Sequence, residues 1–199
     1  MELGIYRNFW DGQPNHLPFL SFRSSSDEPK EFNLKLSITK LEAILRKNPV
    51  SIVKKDLQLL LNDENWRLHI VASIVLLMLK KENSQDISDL FWQRIEKGSW
   101  VSPQILVSLS YSDFNFENRS KQILNDGINI NYAALSPIEH HSARGGTTKR
   151  MAGKKVLAAI DYLVNGIVND TPETDCGGSI CKSWKESIDN QNNFKTGQF

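Results

Sequence analysis

Between Ile70 and Leu79 the chain reads IVASIVLLML, ten consecutive residues without a charge and with Ser73 as the sole polar side chain. Read as a helix, this block is apolar on nearly every side, and such a helix has to be covered from several directions at once. A stack of helix pairs provides that cover, because the inner helix of a middle unit touches its own partner and both neighbouring units. The block is about half of the roughly 20 residues needed to cross a bilayer, so it reads as a buried inner helix and not as a membrane span. At 199 residues the chain suffices for one sizeable core.

The flanks of the block support a helical stack. Upstream, "TKLE" fits a capping box in which Thr39 accepts from first-turn amides and Glu42 reaches back. Asn48 then reads as the cap of a second helix with Pro49 in its first position, and Ile52, Val53, Leu57, Leu60 and Leu61 form its stripe. "NDEN" makes a polar turn, and the apolar helix starts near Asn65, with Trp66 and Arg67 at its entrance. A third helix spans Asp86 to Lys97 through Ile87, Leu90, Phe91 and Ile95, with Gly98 as its left-handed stop. Ser102 and Pro103 open the next. Sliding the chain by 34 residues places Leu57 on Phe91, Leu61 on Ile95, Trp66 on Trp100, Val71 on Ile105 and Val75 on Leu109. "FENRSKQILNDG" continues as a helix buried through Phe116, Ile123 and Leu124; Ser136, Pro137 and Glu139 repeat the start chemistry, and a last long helix runs near Ala152 to Val168.

The stretch from Val53 to Leu79 resembles the HEAT-repeat signature: an outer helix ending in the pair Leu60 and Leu61, a turn with Asp63, then Trp66, Arg67 and an apolar helix with Ala72 near its start. The resemblance covers about 30 residues and implies an all-α, right-handed solenoid of HEAT-like antiparallel helix pairs. It also implies a structural ladder between adjacent repeats, with Asp63 and Arg67 bonded; in the 34-residue register Trp66 and Trp100 stand at equivalent turns and read as inter-repeat packing. The following unit departs from the pattern, with Lys97 and Gly98 in its turn and Ser102 and Pro103 where the ladder Arg would stand.

The two ends of the chain differ in character. Residues 1–35 are punctuated by Gly4, Gly12, Pro14, Pro18 and Pro29, yet hold Tyr6, Phe9, Trp10, Phe19, Phe22 and Phe32. That is too aromatic for a disordered arm, and it reads as a cap packed on the helices, with a lid or partner-binding edge as the alternative. Residues 1–170 then form one domain, and 171–199 read as a polar, flexible tail with one short helix around Trp184.

Composition limits the function classes. The formal net charge is +1, from 24 Lys and Arg against 23 Asp and Glu, so no global field favours nucleic acid or an anionic membrane. The N-terminal stretch lacks the basic and apolar regions of a secretory signal, which makes a cytoplasmic, soluble protein the expectation. Cys176 and Cys181 are too few for a closed zinc site and read as free thiols. His140 and His141 are adjacent and would point about 100° apart on a helix, so no metal site is expected. His69, one turn from the "NDEN" turn on the buried helix, reads as a hydrogen-bonded packing residue. There is no G-x-S-x-G elbow, no redox C-x-x-C pair and no catalytic residue or cofactor motif to name.

One polar stretch stands out. Between His140 and Ile160 there are five basic residues, Arg144, Lys149, Arg150, Lys154 and Lys155, and no acid. They could hold a phosphate or an acidic protein surface. It is not a Walker loop, since six residues separate Gly146 from Gly153 and Lys155 stands where Ser or Thr would bind magnesium. Trp92, beside the inward-facing Phe91, is expected to be partly exposed and to join this binding set. The resulting expectation is a non-enzymatic helical-repeat protein that binds another protein through its concave face, as a toxin-neutralising (immunity) protein or an adaptor. The alternative is nucleic-acid or phosphate binding in the manner of HEAT-like alkylpurine DNA glycosylases.

Overall fold

The computed structural model describes residues 2–23, 29–131, 149–191 and 194–199. Among them every regular element is helical. The helices are α1 Leu34–Lys47, α2 Val50–Asn62, α3 Trp66–Met78, the single turn α4 Lys81–Ser84, α5 Ser88–Glu96, α6 Ser102–Ser112, α7 Phe116–Asp126, α8 Lys149–Asn165 and α9 Gly177–Asp189. Short 3-10 turns at Gly4–Trp10, Leu17–Leu20 and Lys30–Phe32 make up the N-terminal segment.

The starts of these helices follow local chemistry, with corrections. Helix α1 begins at Leu34, and its cap is Asn33, whose side chain accepts from the Leu36 amide at 3.0 Å. Thr39 lies inside the helix, its hydroxyl donating to the Lys35 carbonyl, because the buried stripe Leu34, Ile38, Leu41 and Leu45 starts more than a turn before the expected capping box. Asn48 closes α1, donating from its amide to Ile44, and Pro49 takes the cap position of α2. Asn65 caps α3 by accepting from the Arg67 amide at 3.1 Å. Helix α8 ends at Asn165, where Gly166 turns at φ +71. Ile167, within the helix range expected from the sequence, therefore stands outside the helix and exposed.

Helices α2 and α3 pack as a pair, α5 and α6 pack as a pair, and the two pairs lie side by side through α2 with α5 and α3 with α6. Helix α6 also touches α7, α8 and α9, which places it at the centre. This arrangement accounts for the compositions of α3 and α6: from Leu68 to Met78 every residue of α3 is buried, and so is α6 from Ser102 to Leu109. Their serines stay satisfied by bonding back along the helix, Ser73 to the His69 carbonyl at 2.8 Å and Ser108 to the Gln104 carbonyl at 3.1 Å. The last carbonyls of α3, which lack intrahelical partners, accept from the chain's own far end: Gly197 donates to Leu77 at 2.9 Å, and Gln198 and Phe199 to Met78 at 2.9 and 3.0 Å.

The expected polar tail is the largest correction. Helix α9 buries Cys181, Trp184 and Ile188 at helical spacing, and with Phe194 they belong to the same core as α3 and α6. Gly177 makes the approach possible, because a Cβ there would collide with the Lys155 carbonyl oxygen of α8. Asp170 anchors the start of α9 by accepting from the amides of Gly178 at 3.0 Å and Ser179 at 2.9 Å. The Trp184 indole donates to the Phe19 carbonyl at 2.7 Å, and Phe22 packs edge-on against both Trp184 and Phe194. The N-terminal and C-terminal segments thus close on each other.

Candidate binding surface

Two turns meet at the N-terminal ends of the buried helices α3 and α6. The first, 63–65, delivers Trp66 as the opening residue of α3; the second, 97–101, delivers Trp100 just ahead of α6. The two indoles lie 4.8 Å apart at an interplanar angle of 59°. Trp66 is half-buried, whereas Trp100 is 54% exposed. On the other flank of Trp66 lies His16 at 5.5 Å, and beyond it Trp10 at 5.3 Å from His16. The rings form a row from the N-terminal segment across α3 to the start of α6. Arg67 places its guanidinium 4.8 Å from the Trp66 centroid, and the Lys155 ammonium lies 5.7 Å from that of Trp100.

The two turns are tied together from below. His69 donates from Nε2 to the Asp63 carbonyl at 2.8 Å and accepts from the Ser99 hydroxyl at 2.9 Å. A carbonyl can only accept, which fixes the proton on Nε2. Burial, then the nearby Arg94 cation, hold this imidazole down to about 3, against the opposing effect of the bond to Asp63. Arg94 itself is buried and donates to the carbonyls of Leu61 at 3.3 Å, Asp63 at 3.1 Å and Gly98 at 2.8 Å. Gly98 adopts φ +83, which turns its carbonyl out of the helical direction at the end of α5. The Trp66 and Trp100 turns are therefore one braced unit.

This bracing corrects the expected ladder. The Asp63 carboxylate accepts from the Asn65 amide at 2.8 Å within its own turn, and Arg67 lies over Trp66. The inter-turn role belongs to Arg94, which the sequence reading passed over. Its signal was a charge on a buried face: Arg94 stands one turn from Phe91 and aligns with Leu60 in the 34-residue register. Trp92 is also corrected. It is buried, donates to the Asp113 carboxylate at 2.9 Å and stacks on Phe116 at 5.8 Å, so it lies inside the α5 and α7 contact and not on the ridge.

Of the basic set, two side chains are described, and each has an acidic partner. Arg144, like the helix start at Ser136 and Pro137 and the pair His140 and His141, lies outside the described residues, as do the side chains of Lys149 and Arg150, whose backbones open α8. Lys154 pairs with Glu173, and buried Lys155 pairs with Asp175 at 2.8 Å. Acids of the 172–175 turn thus neutralise the two described cations. A groove of about 770 Å³ runs between α7 and α8, floored by Leu124, Leu157 and Val164. Its Lys121 is bonded to Glu117.

Among the described residues no three His, Cys, Asp or Glu side chains gather as a metal site would require, and no helix is long and apolar enough to cross a membrane. Cys176 is exposed; Cys181 is buried, and burial pushes its thiol well above the usual range, which removes it as a nucleophile. No known family model, curated protein or solved structure matches this chain.

Proposed function

We propose that this chain is a HEAT-like helical-repeat protein that binds another protein through the Trp66 and Trp100 ridge. The α2/α3 and α5/α6 pairs serve as two successive repeat units, in phase at the turns that present the two indoles. One observation carries the reading: Trp100 stays 54% exposed although its turn is braced by His69, Ser99 and Arg94. Covering an indole of about 250 Å² over that fraction is worth roughly 3 kcal/mol, a gain the isolated chain forgoes. Tryptophan and arginine are the residue types that most often dominate protein interfaces. A ring fixed in advance loses little freedom on association, so more of that gain is realised as affinity. Arg67, exposed beside Trp66, adds a cation at the rim of the same surface.

Photo-crosslinking tests this. With a benzophenone amino acid at position 100, the expected result is one discrete protein adduct of fixed stoichiometry, absent when the same probe replaces the exposed Gln122 on α7. Equal adduct patterns at the two positions would remove the ridge as the binding surface.

A further inference from the structure

The N-terminal segment packs against Trp66 through His16. His16 is 7% exposed, held between Trp10 and Trp66, and both its nitrogens lack a partner among the described residues. The Trp10 indole nitrogen and the Asn15 side-chain oxygen nearby in the chain are also buried without a partner. The charged group that faces His16 is Arg67 of α3. From α1, the Lys40 ammonium holds the loop by donating to the carbonyls of Phe9 at 2.8 Å, Asp11 at 3.2 Å, Gly12 at 3.4 Å and Pro14 at 3.0 Å. Asp11 is exposed and acts on Lys40. Neither neighbouring indole can neutralise a charge. An imidazolium at position 16 would therefore sit out of water with two unbonded donors beside a guanidinium.

We propose that residues 9–20 are an acid-released cover latched by uncharged His16: protonation of the ring opens the segment and uncovers the face of Trp66 on which it packs. Burial first, and Arg67 second, lower the pKa of His16 to about 4, while an opened segment returns it to about 6.5. Opening is thus linked to the uptake of one proton in the window between these values. His69 provides the contrast. It is neutral too, but both its nitrogens are bonded and it lies inside α3, so its protonation is tied to the whole fold.

Amide hydrogen exchange of the full chain, corrected for the intrinsic pH dependence, reads the cover directly. Protection of residues 9–20 is expected to fall about tenfold per pH unit below about 6.5, while these residues keep exchanging faster than residues 70–78, which open only with the whole fold. His16→Phe, which keeps an aromatic ring between the indoles, is expected to abolish that fall, and His16→Gln serves if the Phe variant does not fold. Constant protection from pH 7.5 to 5, or the same loss in both variants as in the wild type, overturns the cover.

Discussion

The two ends of the chain solve the same problem with opposite chemistry. Each packs on the helical core, and they meet where Trp184 donates to the Phe19 carbonyl. The N-terminal segment does so with irregular backbone and four fully buried aromatic side chains, Tyr6, Phe9, Phe19 and Phe22. The C-terminal segment uses one amphipathic helix with few apolar residues, seated through Gly177 against α8. Bulky anchors tolerate poor backbone order but leave polar atoms stranded between them, as at Trp10, Asn15 and His16. A helix satisfies its own backbone and needs only a correctly spaced stripe. The N-terminal end is accordingly expected to open more easily than the C-terminal one.

The sharpest way to break this comparison is Trp184→Ala. A buried indole that also bonds the opposite end is expected to contribute about 3–5 kcal/mol, measured by denaturant unfolding. A loss under 0.5 kcal/mol, about what an exposed tail residue would give, would show that α9 is dispensable.

Acidification comes next. His69 has a folded pKa below its unfolded value, so its stabilising contribution is complete above pH 6.5 and is lost as pH falls from there towards 3. One proton taken up only on unfolding costs about 1.4 kcal/mol at pH 5.5. The slope of unfolding free energy against pH is expected to be shallower by one proton in His69→Gln than in the wild type, and parallel slopes would show that His69 is not the titrating group.

Lys40→Met should act more locally. Removing the ammonium leaves the carbonyls from Phe9 to Pro14 without their common donor, for an expected loss of about 1–2 kcal/mol. Exchange protection should drop in residues 9–16 while α9 is unaffected; equal loss at both ends would mean that they open as one unit.

What could be read in advance tracks how each feature is encoded. Helix α3 announces itself because no amphipathic helix is apolar all round, and the aromatic density before residue 23 signals packing without any periodicity. A short helix around Trp184 was expected, but the burial of α9 was hidden by composition: Cys181, Trp184 and Ile188 are spaced as a stripe, while Lys182, Lys185 and Glu186 between them look like a tail. Trp92 and Trp100 changed places for a related reason. A helical wheel turns Trp92 about 100° from Phe91, towards apparent solvent, and cannot foresee that Phe116 covers it. Trp100 sits in a turn, where periodicity is silent. Arg94 was missed because its partners are carbonyls, and carbonyls leave no mark in a sequence.

The most direct measurement of the ridge compares Trp100→Ala with Gln122→Ala for affinity towards the crosslinked partner at pH 7.5, alongside thermal unfolding. Trp100→Ala is expected to shift the midpoint by no more than a few degrees and to weaken binding by about 30-fold or more, as loss of a dominant interface residue does. Affinity unchanged in Trp100→Ala, with the fold intact, would contradict the assignment of the ridge as the binding surface.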